Sequence, residues 1–197
     1  MQFSAVVAVL FATSALGAPT PPTGRPAVFT ATSYNNISIS GGVAGQAQAE
    51  AQARLAAVNM TDAASVNPAD LDFLTSVNDI CNQAELGAFN PAIMAAAPNS
   101  PQQAALQAGK TKNKVLKLTA TIMTLNIQAA QGQNVTQRLA DETANLNLNV
   151  AADKAVAGSD SMAVQFEALA SADSGRAKGL RAAQLNAAAC GPTASED

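Results

Sequence analysis

Lys110, Lys112, Lys114 and Lys117 form the densest charge feature of the chain. On a helix, Lys110, Lys114 and Lys117 share one face, because residues four and three apart lie above one another. Such a cationic patch can hold an acidic polymer or an acidic partner. The structural alternative is a solvated face paired with Asp70, Asp72 or Asp79 on a neighbouring helix. Arg176, Lys178 and Arg181 form a smaller cluster open to the same two readings. No aromatic residues are interleaved with either cluster to stack on bases, and the net charge is −3, so no nucleic-acid partner is expected.

The chain contains no histidine. Ser-His-Asp and Cys-His catalysis and His-ligated zinc are therefore excluded. The nearest carboxylate pairs are Asp141-Glu142 and Asp70-Leu71-Asp72. A glycosidase needs two carboxyls facing each other across a cleft, and adjacent helical residues diverge. Gly109-Lys110-Thr111 has the ending of a phosphate-binding loop, but position 104, where the motif needs its first glycine, is Ala. Calcium loops need alternating oxygen ligands and a glycine, a pattern missing from this chain. No catalytic residue, metal or cofactor is expected.

Two cysteines, Cys81 and Cys190, are expected to pair as a disulfide in an oxidising compartment. Closing a loop of about 110 residues would contribute at most roughly 4.7 kcal/mol. The alternative is two buried thiols. Three N-glycosylation tripeptides begin at Asn36, Asn59 and Asn134. Roughly two such tripeptides arise by chance at this composition, so their number alone is uninformative.

The elements that must position these residues follow from composition and periodicity. Residues 1–17 read as a secretory signal peptide, with the apolar run 5–15 and small residues Ala15 and Gly17 before Ala18-Pro19. That run is too short to span a bilayer, and no other segment is long and apolar enough to be a transmembrane helix. The protein is thus expected to be secreted, extracellular or associated with a cell wall. Residues 18–40 read as a Pro/Thr-rich lead-in and an extended arm, with β-favouring stretches at 28–32 and 37–39 able to form a small hairpin. Residues 41–197 read as one helical domain. Alanine, with 46 of 197 residues, favours helices but buries little apolar area.

A surface helix adding little core is expected at 46–58. The Asn67-Pro68 pair caps a helix over 68–87 with the stripe Leu71, Leu74, Val77, Cys81 and Ala84. A break at 87–98, with one short helical turn at 91–96, precedes the strongest helix, 101–131. Val115, Leu118, Ile122, Leu125 and Ala129 form its stripe, and Gly132 ends it. A short loop leads to a helix at 134–156 with Leu139, Leu146 and Val150 on one side. Ser161 is expected to cap a helix through Met162, Phe166 and Leu169, and 176–190 is helical by propensity. The expected fold is all-α, a bundle of about four to six helices with an extended N-terminal arm.

Residues 67–150 resemble small secreted proteins of filamentous ascomycete fungi. The residues carrying this are Gly87-Ala88-Phe89-Asn90-Pro91-Ala92-Ile93, Ala104-Ala105-Leu106-Gln107-Ala108-Gly109-Lys110, Lys112-Asn113-Lys114-Val115-Leu116-Lys117-Leu118, and 128–133. The resemblance implies a secreted, effector-like helical protein of unassigned role. The expected function is non-enzymatic binding outside the cell, to a polysaccharide, protein or apolar ligand. One alternative is a wall-structural or hydrophobic-surface-binding mannoprotein. Another is a lipid carrier with a cavity lined by Leu118, Ile122, Met123 and Phe166.

Overall fold

The computed structural model describes residues 26–172. The expected signal peptide (1–17), residues 18–25, Arg176, Lys178, Arg181, the expected helix at 176–190 and Cys190 lie outside the described residues. In chain order the elements are β1 (Thr32–Ser33), α1 (Tyr34–Ile37), β2 (Gly42–Val43), α2 (Ala47–Leu55), a 3-10 stretch (Met60–Ser65) and α3 (Pro68–Ala84). A π-helical turn (Glu85–Phe89) runs on into α4 (Asn90–Ala95). Then come α5 (Pro101–Ala130), α6 (Thr136–Ala155), β3 (Asp160–Ser161) and β4 (Leu169–Ala170). The fold is mostly helical, as expected.

Helix α5 is the axis on which α2, α3 and α6 pack. Ser100 starts it by accepting the Gln103 amide at 3.1 Å, with Pro101 in the first turn. Gly132 ends it at φ +87°, and the amides of Gly132 and Gln133 return to the carbonyls of Ala129 and Gln128. This closure needs a left-handed residue, which glycine supplies without strain. Val115, Leu116, Leu125 and Ile127 are fully buried along α5. On α3, Leu74, Val77, Cys81 and Ala84 are buried as the stripe requires, and Phe73 and Ile80 widen it. Asn67 caps α3 by accepting the Ala69 amide at 2.8 Å.

Four local expectations are corrected. Helix α2 joins the core, because Ala47, Ala51 and Leu55 are fully buried against α5; small side chains let the two backbones come close. The break at 87–98 is instead largely helical, since the chain absorbs Gly87 in the π-helical turn and continues to Ala95. No hairpin forms within 28–39. Its first part pairs with β4 and its middle is the single turn α1. The expected helix at 161–169 is extended. Val164, Phe166, Ala168 and Ala170 turn inward while Ala163, Gln165, Glu167 and Leu169 stay exposed. That is a period of two, the strand pattern.

The two arms flanking the bundle run together over α5. Antiparallel pairs join Thr32 to Ala170 and Gly42 to Ser161. Buried polar side chains fasten them. Asp70 accepts the amides of Val28 at 2.9 Å and Phe29 at 3.0 Å. The Tyr34 hydroxyl donates to Asn113 at 2.9 Å, and Asp153 accepts the Ala47 amide at 2.9 Å, capping α2. Gly109 lets β3 sit directly on α5, for a Cβ there would clash with the Met162 carbonyl oxygen and lie 3.1 Å from that of Ser40. The phosphate-loop look of Gly109-Lys110-Thr111 thus reduces to a close backbone crossing.

Candidate functional site

The four lysines separate into two environments. Lys112 is fully buried and faces the arms. Its ammonium donates to the Gly41 and Val43 carbonyls at 2.8 and 3.1 Å and lies 2.9 Å from the nearer oxygen of Glu50. With its donors thus used, Lys112 leaves the expected patch. The reason is angular: two residues along a helix turn about 200°.

Lys110, Lys114 and Lys117 do share a face, and all three close on one carboxylate that the sequence reading did not single out. Glu85 lies 3.8, 3.2 and 3.8 Å from their ammonium groups in that order. The anions proposed from sequence, Asp70, Asp72 and Asp79, are not their partners. Asn90 and Asn82 supply further acceptors to Lys110 and Lys117, at 2.7 and 2.9 Å. These lysine side chains keep 22%, 34% and 19% of their surface in solvent, so part of each remains available.

Lys114 and Lys117 also line a polar cleft of about 360 Å³ between α3, α5 and α6. Its floor is hydrogen-bonded in series. Asn78 donates to Thr121 at 2.7 Å, Asn82 donates to Asn78 at 3.0 Å, and Lys117 donates to Asn82. The opposite wall is α6, carrying Arg138, Glu142, Asn145 and Asn149. Among the described residues Arg138 makes no ion pair. The floor is therefore pre-organised and the wall keeps donors and acceptors in reserve. Counting Lys110, Lys114, Lys117 and Arg138 against Glu85 and Glu142 leaves two net positive charges.

Of the cleft residues, the sequence reading named only Lys114, Lys117, Leu118 and Glu142. A signal was present. Positions 78, 82 and 85 on α3 and the turn after it, 110, 114 and 117 on α5, and 138, 142, 145 and 149 on α6 all step by four and three. Three polar stripes with one period can face one another in a bundle. Of the remaining acids, Asp141 is exposed and bonded to Gln137, and Asp70 and Asp153 serve the arms.

Cys81 is fully buried on α3, where burial pushes its thiol up to about 12, against a smaller lowering by Lys117. Its expected partner, Cys190, lies outside the described residues. Among the described residues no group of three or more metal-ligating side chains is gathered, and no helix is long and apolar enough to cross a membrane. Asn36, Asn59 and Asn134 are all exposed. A second, mostly apolar cleft of about 360 Å³ lies at the α5–α6 turn, lined by Ala129, Gln133, Val135, Thr136, Leu139, Ala140 and Thr143.

The model of a domain of unknown function, DUF8454, matches residues 29–165, which include both clefts and most of both arms. The chain belongs to this family. No curated protein and no solved structure matches it.

Proposed function

We propose that this DUF8454 member acts outside the cell by binding an acidic polysaccharide, without transforming it. The reading rests on the cleft between α3, α5 and α6. Cations there outnumber carboxylates, and Asn82, Asn145 and Asn149 add amides able to bond hydroxyl groups. A polymer bearing both carboxylates and hydroxyls complements that mixture. The helical floor fixes the lysines before the ligand arrives, which lowers the ordering cost of binding. The leader-like residues 1–17 and the resemblance to small secreted ascomycete proteins support an extracellular, fungal, effector-like setting. The lack of histidine and of facing carboxylate pairs in the sequence supports a non-enzymatic role.

The test is retention of the purified protein on immobilised polygalacturonate and on neutral dextran across a salt series. Retention on the acidic polymer alone, weakening with salt, is expected. Reversing Lys114, Lys117 and Arg138 to Glu should abolish it with helicity unchanged. Equal retention of that variant would overturn the reading.

A second reading has its own observation. Leu86, Met94 and Leu148 are 72%, 85% and 70% exposed, as a hydrophobic-surface-binding protein would require. Salt-resistant adsorption to an apolar surface would favour it. The lipid-carrier alternative has less support, because Phe166 packs edge-on against Tyr34 while Leu118 opens to the polar cleft.

A further inference from the structure

The three glycosylation tripeptides differ once their surroundings are known. All three asparagines are exposed, whereas among the eleven other described asparagines only 99, 126, 145 and 147 are. Exposure therefore sets the three apart from most of the rest without ranking them. Their hydrogen bonds do rank them. Asn59 accepts the Thr61 amide at 3.0 Å and the Thr61 hydroxyl at 2.6 Å, which starts the 3-10 stretch. Ser38 accepts the Ser40 amide at 3.2 Å, and Asn36 sits within α1, where its backbone N–H donates to the Ser33 hydroxyl at 3.3 Å. Both tripeptides have local folding roles that account for their hydroxyl residues.

Asn134-Val135-Thr136 has no such role. The side chains of Asn134 and Thr136 make no hydrogen bond among the described residues, and both are exposed. The cap position of α6 is Val135, which offers no side-chain acceptor. A helix start built for stability would place Ser, Thr, Asp or Asn there. Here a polar residue falls on either side of that position instead, at the spacing a glycosylation site requires. Two residues of the tripeptide, Val135 and Thr136, line the apolar cleft, and Asn134 stands at its edge between the lining residues Gln133 and Val135.

We infer that Asn134 carries an N-linked glycan whose first sugars lie over this apolar cleft. In the transfer, the Asn134 amide nitrogen bonds to the anomeric carbon of a polyprenyl-pyrophosphate-linked oligosaccharide. The bond from that carbon to the pyrophosphate breaks, the pyrophosphate leaves, and the amide loses one proton. The acceptor amide projects from a five-residue loop, and the sugar's apolar C–H face covers Leu139, Ala140 and Ala129. The glycan stands on the α5–α6 turn. The inference rests on the extracellular reading, since only an exported chain meets the transferase.

Two versions of the full chain, one with residues 1–17 and one with a foreign leader in their place, are expressed in a secreting eukaryotic host. Peptide mass mapping is done before and after enzymatic release of N-glycans. Release converts a modified Asn134 to Asp, and that conversion is the expected result in both versions. Retention of only the native-leader version in the cell would overturn the export reading, while the foreign-leader version still decides the site. Secreted protein with Asn134 intact and unmodified, or modified only at Asn36 or Asn59, would overturn the inference. Asn134→Gln, outside the cleft lining, should remove the glycan and raise binding of a hydrophobic dye; equal dye binding by the two forms would overturn the covering of the cleft.

Discussion

Lys112 and Lys114 stand two residues apart on α5 and occupy opposite kinds of surroundings. Toward the arms, Lys112 is dry and fully engaged with two carbonyls and Glu50. Toward α3 and α6, Lys114 shares Glu85 with two other lysines and keeps a third of its surface wet. The arm side makes charge into a fastener, since removing an ion from a closed set leaves desolvated partners behind. The cleft side leaves charge available, because each pair is partly solvated and individually weak.

The contrast is most exposed to refutation at Lys112. Replacing it with Met should cost about 3 kcal/mol, with some discount for the partly exposed Glu50 carboxylate. Chemical denaturation would measure it, and a cost no larger than that of Lys114→Met would erase the distinction. Next comes Gly109→Ala on the same side, expected to cost about 1–3 kcal/mol through overpacking against the Met162 carbonyl. Hydrogen exchange should show protection lost first around β2 and β3; loss confined to α5 would contradict the close crossing.

Alkaline pH tests the buried side in another way. Burial raises the Cys81 thiol from 9.0 to about 12 and the Tyr34 phenol from 10.0 to about 12. Each neutral group is favoured in the fold, so its contribution is intact below the unfolded value and is lost as pH rises toward the folded one. Melting temperature should fall from about pH 9, and Cys81→Ala should delay that onset to about pH 10. A Cys81–Cys190 disulfide would also remove the earlier onset, and reductant would restore it. The smallest effect is expected at Lys114→Gln, under about 1 kcal/mol in stability. Its signature is a loss of polygalacturonate retention instead, and a large melting shift would place Lys114 with Lys112.

What the sequence made readable tracked the strength of its periodicity. Helices α3, α5 and α6 carry large apolar residues at steps of three and four, and the ends of α3 and α5 are marked by Asn67-Pro68, Pro101 and Gly132. In helix α2 the alanines hide a buried face from the sequence pattern: Ala47 and Ala51 pack as completely as Leu55. The stretch 162–170 fits either period, as Met162, Phe166 and Leu169 read helically while Val164, Phe166 and Ala168 alternate. Only the long-range pairing of Thr32 with Ala170 decides between them. The patch was legible as three lysines on one face. Its anion was present only as a period: Glu85 continues the α3 face of Asn78 and Asn82, but spacing within one helix does not say which acid a neighbouring helix will meet.

The π-helical turn governs which changes in chain length the fold accepts. Glu85–Phe89 holds one residue more than an α-helical turn, so the helix behind it is rotated relative to α3. Deleting Ala88 would let the chain close as plain α-helix and swing α4 by about 100°. Phe89 and Ile93, now buried, would turn off the core, and Asn90 would leave Lys110. The α5–α6 loop is less constrained, since residues 131–134 are all exposed and only Val135 is partly buried. Relatives should therefore vary in length at 131–135 and keep it at 85–89, or else show an apolar pattern shifted by one position beyond residue 89.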